Sequence, residues 1–127
     1  MALDRRNGVL TVPTVLNQAF RTHFVVDSGA STVVISEAIV ELMRKSGKLS
    51  DADFTGNQAY KLADGSIMKS KTFVLRTLAV GNRVLENVPA TVAPAGAPSL
   101  LGQSFLSRFS SWSIDNDRQL LLLREKQ

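Results

Sequence analysis

Phe24-Val25-Val26-Asp27-Ser28-Gly29-Ala30-Ser31-Thr32-Val33-Val34-Ile35 sets a carboxylate between two apolar runs, at the mouth of a short polar turn. Phe and Val suit a pleated, buried strand, and Gly29 permits a sharp reversal that a β-carbon would obstruct. Asp27 is therefore expected where a core strand meets a turn. A buried carboxyl is costly to ionise unless donors stabilise the charge, and the hydroxyls and backbone N–H groups of Ser28 to Ser31 are the candidate donors. On these residues alone a plain surface turn fits equally well, because Asp, Ser and Gly are ordinary turn formers.

A second segment bears on the choice. Ser99-Leu100-Leu101-Gly102, followed by Gln103-Ser104-Phe105-Leu106-Ser107-Arg108-Phe109, reads as a short buried strand, a glycine and one or two turns of helix. Apolar-apolar-Asp-Ser-Gly-Ala with apolar-apolar-Gly some 75 residues on resembles the retropepsin clan of aspartic proteases. The Leu-Leu-Gly-x-Ser-Phe-Leu-x-Arg-Phe form resembles its bacterial single-lobe members. The resemblance runs from about Gly8 to Leu123. It implies a mainly β fold: a retropepsin-like closed β-barrel, one aspartic-protease lobe, with a flap hairpin and one or two short helices.

Composition is compatible with that reading. A chain of 127 residues with 44% hydrophobic content is expected to form one domain, residues 1–127, with a modest core, and it is too short for two pepsin-like lobes. Zero Cys removes disulfides, thiolate catalysis and Cys-rich zinc sites, and a single His makes no His-based metal cluster, so neither metal nor cofactor is expected. The net charge of +4 is spread over Arg5-Arg6, Arg44-Lys45, Lys69, Lys71, Arg124 and Lys126, and aromatics are 6%, so no nucleic-acid partner is expected. No run approaches the roughly 20 apolar residues of a membrane helix, and Met1 to Arg6 lacks the apolar core of a signal peptide. Bacterial members that the chain resembles often carry an N-terminal membrane anchor, which would make these residues a soluble piece of a longer, membrane-associated or periplasmic chain.

Patterning along the chain predicts strands over Gly8 to Leu16 and Ala19 to Val26 around an Asn17-Gln18 turn, then Thr32 to Ile35. Ser36 is expected to cap a helix ending near Gly47, a segment longer than in retroviral proteases, and Lys48 to Gly56 reads as a loop. Asn57 to Ala63 and Ser66 to Leu75 make a hairpin about Asp64-Gly65, and Thr72 to Val80 and Arg83 to Ala93 pair about Gly81-Asn82. Ala95 to Pro98 is a loop. A strand-hairpin-buried strand pattern thus ends twice, at Asp27-Ser28-Gly29 and at Leu101-Gly102. Ser111 to Ile114 and Gln119 to Leu123 flank Asp115-Asn116-Asp117, and the unalternating Leu120 to Leu123 suggests burial on both faces, as at a subunit interface.

The resemblance also assigns chemistry. Aspartic proteases use one ionised Asp as general base on a water while a second, protonated Asp donates to the scissile carbonyl. This sequence has one Asp-Ser-Gly, and its other carboxylates fall in predicted loops, turns, helix surface or strand edges. A homodimer with one catalytic Asp27 per subunit is implied, acting on an extended peptide or protein substrate, with monomers inactive. Ser28 would hydrogen-bond across the two-fold axis and the Gly29 backbone would help position the carboxylates. Members with Ser or Thr at the place of Ala30 offer a hydroxyl that stabilises the ionised pair, so this chain is expected to work at a less acidic pH than pepsin. Val25, Pro98, Leu100 and the hairpin residues Asp64, Gly65, Ser66 and Ile67 are candidates for substrate pockets. Tyr60 is a candidate hydrogen-bonding aromatic on the flap, with packing as the alternative.

Other motifs read as structural. His23 has no Gly-x-Ser-x-Gly nucleophile to serve. Phe105 and Phe109, four apart on the short helix, and Trp112 read as packing anchors. Asp115-Asn116-Asp117 opens like a calcium loop but lacks the Gly and Glu ligands, which favours a turn. The rival functional reading is a noncatalytic retropepsin-fold module for dimerisation or peptide binding; another is a zymogen-like domain that pairs only after release.

Overall fold

Burial recurs along Ile67–Val80 at steps of two and three residues, with Ser70, Phe73, Leu75, Leu78 and Val80 buried, and this 14-residue strand forms the spine of the sheet. A computed structural model of the chain describes residues 2–6, 9–61, 64–94 and 96–126, together with all side chains in these ranges except those of residues 6, 60 and 61. In chain order the strands are β1 (Asp4–Arg6), β2 (Val9–Leu16), β3 (Phe20–Val26), β4 (Val33–Ile35), β5 (Phe54–Lys61), β6 (Ile67–Val80), β7 (Arg83–Val92), β8 (Leu100–Leu101), β9 (Phe109–Asp115) and β10 (Leu120–Glu125). The helices are α1 (Glu37–Lys45) and α2 (Gln103–Leu106), with a 3-10 turn at Asp51–Asp53. Gly8, Ala63 and Ala95, at the edges of predicted elements, lie outside the described residues.

The expectation of a mainly β fold holds. Eight strands run in the order β1-β2-β3-β8-β4-β7-β6-β5, and a further β2–β6 pairing joins six of them, β2 to β6, into a ring. At one seam this ring hangs on a single residue pair, Val34 with Leu100. β9 and β10 form a separate two-stranded sheet, tied to the N-terminal arm by an Ala2–Leu120 bridge and by the Leu3 amide donating to the Gln119 carbonyl at 2.8 Å. Phe24, Phe73 and Phe105 are fully buried with Leu16, Leu78 and Leu101 in one core.

The Asn17-Gln18 turn forms as predicted. Both residues have positive φ, 48° and 61°, and the Ala19 amide donates to the Leu16 carbonyl at 3.0 Å, so Leu16 pairs with Phe20 across a three-residue loop. Its left-handed Asn is anchored: Asn17 Nδ2 donates to the Lys48 carbonyl at 2.8 Å and Oδ1 accepts the Thr77 amide at 3.1 Å.

Several expectations need correction. Ser36 precedes α1 but its side chain makes no cap; instead its amide donates to Ser99 Oγ at 2.9 Å, and Glu37 in the first turn with Arg44 and Lys45 in the last suits the helix dipole. Lys48 to Gly56 is more than a loop. Ser50 and Asp53 close a capping box, with the Ser50 amide donating to Asp53 Oδ2 at 2.9 Å, and β5 begins at Phe54, whose ring packs on Phe73 at 5.4 Å. The two strands expected over 66–80 are one continuous strand. The second helix ends at Leu106, so Phe109 opens β9, yet its ring still meets Phe105 at 5.2 Å. In β10 only Leu121 is buried on the core side while Leu122 is 41% exposed, so burial on both faces does not occur within the chain.

Core position decides mutational cost here. Phe24→Ala should lower unfolding free energy by about 3–5 kcal/mol, whereas Val84→Ala, at a position 60% exposed, should stay within about 0.5 kcal/mol; urea unfolding of the two variants checks both.

Candidate functional site

The two apolar motifs meet in space. β8 lies parallel to β3, with Val25 opposite Leu100 and Val26 opposite Leu101, and touches β4 on its other side at Val34. β8 thus threads between the strands that enter and leave the Asp27 turn. The Asp27 amide donates to the Leu101 carbonyl at 3.1 Å and the Val25 amide to the Ser99 carbonyl at 3.0 Å. From the far side, the Gln103 amide donates to the Ala30 carbonyl at 2.8 Å and Gln103 Nε2 to the Ser28 carbonyl at 2.9 Å.

Gly102 explains why the motif ends in glycine. A β-carbon there would lie 2.0 Å from the Thr32 carbonyl oxygen and 2.7 Å from that of Ala30, inside van der Waals contact with backbone that cannot move aside. Ser104 completes the brace: its Oγ accepts the Val33 amide at 2.8 Å and donates to the Pro89 carbonyl at 2.7 Å. One short segment, 99–104, therefore fixes both flanks of the Asp27 turn.

Asp27 is half-buried rather than fully buried. Its Oδ1 accepts the Gly29 amide at 2.9 Å, and its backbone carbonyl accepts the Ala30 amide at 3.2 Å. The donor to the carboxylate is thus backbone, not the hydroxyls of Ser28 or Ser31, because the turn curls the amide of residue 29 back over the side chain. Gly29 itself has no left-handed φ; its requirement is proximity, since an added β-carbon would sit 3.2 Å from Asp27 Oδ1. Oδ2 has no hydrogen bond among the described residues.

The carboxylate opens onto a cavity of about 470 Å³ whose wall is mostly apolar, with Val34, Met68, Val92, Pro94 and Leu100 beside Ala30, Thr32 and Gln58. Asp27 is the one acidic residue in that wall. Thr32 and Thr91 share a hydrogen bond between their hydroxyls at 2.8 Å, and Thr91 reaches toward Gln58 Oε1 at 3.5 Å, linking the turn to β7 and β5.

Of the residues singled out from sequence, Asp27, Gly29, Ala30 and Leu100 line this cavity. Ser28 is exposed at the turn's outer edge, Val25 is half-buried opposite Leu100, and Pro98 is exposed; none of the three lines it. Asp64, Gly65, Ser66 and Ile67 do not line it either. They form the exposed tip of the β5–β6 hairpin, where Gly65 takes φ 89°, and Ile67 is 72% exposed. Asp64 Oδ1 accepts both the amide and the hydroxyl of Ser66, at 2.9 and 2.6 Å, and these bonds hold its carboxyl below the usual value. The hairpin residues that do face Asp27 are Gln58 and Met68, which sequence reading missed; alternation along β6 from buried Ser70 places Met68 on the same face. The side chain of Tyr60 lies outside the described residues.

The remaining motifs have structural roles. His23 Nε2 lies 3.1 Å from Asp4 Oδ2, joining β3 to the edge strand. Asp115 accepts the Arg118 amide at 3.0 Å and its Nε at 2.7 Å, which lowers the carboxyl's pKa and closes the turn. Among the described residues no helix is long and apolar enough to cross a membrane.

Comparison with known proteins agrees with this geometry. The family model described as "gag-polyprotein putative aspartyl protease" matches residues 12–108, a span that holds the Asp27 turn, the hairpin and the Leu-Leu-Gly segment. The chain is similar to a solved retropepsin-like aspartic protease from Rickettsia conorii, at 25% identity and a TM-score of 0.69, over 96% of this chain and 86% of that one. A search of curated proteins found no match.

Gly102→Ala should cost about 3 kcal/mol or more in urea unfolding, since neither wall of its seat can yield. Gly29→Ala should cost less, because the atom it meets is a side-chain oxygen that can rotate.

Proposed function

We propose that this chain, which belongs to the gag-polyprotein aspartyl protease family, is an aspartic endopeptidase whose reacting pair forms when two copies each supply Asp27. The family match and the retropepsin-like fold support a peptidase hydrolase. The observation that carries the finer reading is the solitude of Asp27: among the described residues a mostly apolar cavity holds one carboxylate, while the chemistry needs two.

A symmetric dimer supplies the second. In a two-fold arrangement the same patch meets itself, so the exposed turn that presents Ser28 in one subunit faces its equivalent in the other. Two carboxylates about 3 Å apart cannot both ionise, and they share one proton. The ionised member takes a proton from a water as that water attacks the scissile carbonyl carbon. The protonated member gives its proton to the carbonyl oxygen, producing a tetrahedral diol. Collapse of the diol breaks the C–N bond: the carboxyl that took the water's proton gives it to the leaving nitrogen, and the other carboxylate takes one from a diol hydroxyl, which restores the shared proton. Gly29 contributes by holding Oδ1 through its amide, which fixes the carboxyl plane and leaves Oδ2 toward the water. Ser28, Gly29 and Ala30 form the active-site loop, with the Ser28 hydroxyl free to bond across the axis.

Substrate recognition follows from the wall. Val34, Met68, Val92 and Leu100 would seat apolar side chains of an extended peptide, and the β5–β6 hairpin would act as the flap that excludes water and aligns it. Its tip, Asp64 to Ile67, is exposed and does not line the cavity of its own chain, and in this reading it would close over substrate. Val25, paired with Leu100, and Pro98, two residues before it, would meet a longer substrate outside the cavity itself. Residues 1–127 act in this reading as one domain.

Asp27→Asn should reduce cleavage of a peptide library at least about a hundredfold, the scale of losing general acid–base catalysis. Mixed dimers of parent and Asp27→Asn chains should be as inactive as the variant, so adding excess variant to a fixed amount of parent should suppress its activity; unchanged activity would contradict the shared pair. Cleavage lost with peptide binding retained in the parent itself would instead indicate a noncatalytic module. Ala30→Thr, which adds a hydroxyl beside the pair, should move the pH optimum toward acid; an unmoved profile would remove Ala30 from the account.

A further inference from the structure

We infer that a second cavity, adjoining that of Asp27, is a charge-reading subsite for an extended substrate segment that carries adjacent acidic and basic side chains. The inference rests on the protease reading above and extends it to a part of the substrate remote from the scissile bond. The cavity measures about 430 Å³ and lies between α1 and β6. Met68, Val92 and Pro94 line both this space and the Asp27 cavity, so a peptide leaving one enters the other.

Its two long walls carry opposite charge. On α1, Glu37 and Glu41 are one turn apart and share a face. On β6, Lys69 and Lys71 are two apart and also share a face. All four are exposed, and all four line the cavity. The third cation of the lining is already engaged: Arg44 Nη2 bonds Asp51 Oδ1 at 2.7 Å and the guanidinium lies 5.1 Å over the Phe54 ring. Lys71 stands 5.9 Å from the same ring, and among the described residues the side chains of Glu37, Glu41 and Lys69 have no ion pair or hydrogen bond. The floor between the rows is apolar, built by Val40 and Ala93, which are 3% and 2% exposed.

An extended peptide alternates its side chains to opposite sides. Threaded between these walls, one residue points to Lys69 and Lys71 and its neighbour points to Glu37 and Glu41. An acidic residue next to a basic one satisfies both rows at once, whereas two like charges leave one row opposed. The apolar floor accepts the backbone and the stems of the charged side chains.

The test walks a Glu-Lys pair, residue by residue, along the flank of a peptide that the parent protein cleaves. One register should raise kcat/KM about three- to tenfold over Ala-Ala, the size expected of two exposed ion pairs, and the gain should fall away in 1 M salt. Lys-Lys and Glu-Glu in that register should show no gain. Lys69→Glu/Lys71→Glu should abolish the preference for the acidic residue and favour a basic one there, and Glu37→Lys/Glu41→Lys should reverse the preference at its neighbour. Equal kcat/KM for every pair in every register would overturn the inference. So would variants that lower kcat/KM alike for all peptides, the result expected if the two rows only close onto each other. Binding of the same peptides to Asp27→Asn protein, read by fluorescence anisotropy, separates this claim from the catalytic one. Charge preference in binding without any cleavage by the parent would refute the Asp27 mechanism and keep the subsite; cleavage with no charge preference would do the opposite.

Discussion

The absence of a side chain at Gly102 is the constraint on which the rest of the site depends. The backbone of the Asp27 turn passes so close that even a methyl group would overlap the Thr32 carbonyl. That approach lets β8 lie between β3 and β4, exchanging hydrogen bonds with one and a residue pair with the other. It also brings the Gln103 amide and side chain within reach of the turn's carbonyls, and places Ser104 Oγ between Val33 and Pro89. The Asp27 carboxylate is held still because its loop is clamped from both sides, not because its own environment is dry.

What that clamp presents is chemically incomplete. One carboxylate with an apolar wall can bind and polarise, but it cannot be general base and general acid in the same step. In the proposed dimer a second copy would supply the missing carboxylate, within a sequence that has one Asp-Ser-Gly, and the exposed turn would lie at the contact. The β5–β6 hairpin borders two cavities, with Gln58 lining that of Asp27, Lys69 and Lys71 lining the one beside α1, and Met68 lining both. On the proposed reading this continuity at Met68 would let the hairpin read substrate as well as cover it.

Much of this was legible in the residues. Strand periodicity located β2, β3 and β7, the Asn17-Gln18 and Asp64-Gly65 turns fell where left-handed or polar residues demanded them, and the Asp27 and Leu-Leu-Gly motifs identified the segments that the fold brings together. Local pattern failed where long-range pairing decides. Asp4–Arg6 has no strand signature, and is a strand because its backbone bonds β2 and its Asp4 meets His23. Phe54 ends a polar segment, and only its partner Phe73 makes it the start of β5. The hairpin tip drew attention as a substrate contact because it holds the turn signal. The wall is instead formed further back, at Gln58 and Met68, which no local motif marks. Leu120 to Leu123 shows no alternation, and within one chain only Leu121 is buried while Leu122 stays exposed, which leaves the expected subunit contact to a second copy.

A crystal structure of the protein with a non-hydrolysable peptide analogue tests the central claim most directly. The account predicts a two-fold dimer in which the Asp27 carboxylates of the two chains approach to about 3 Å with the analogue between them and the hairpins. An analogue bound to a single chain, or to a dimer whose Asp27 side chains lie far apart, would contradict it.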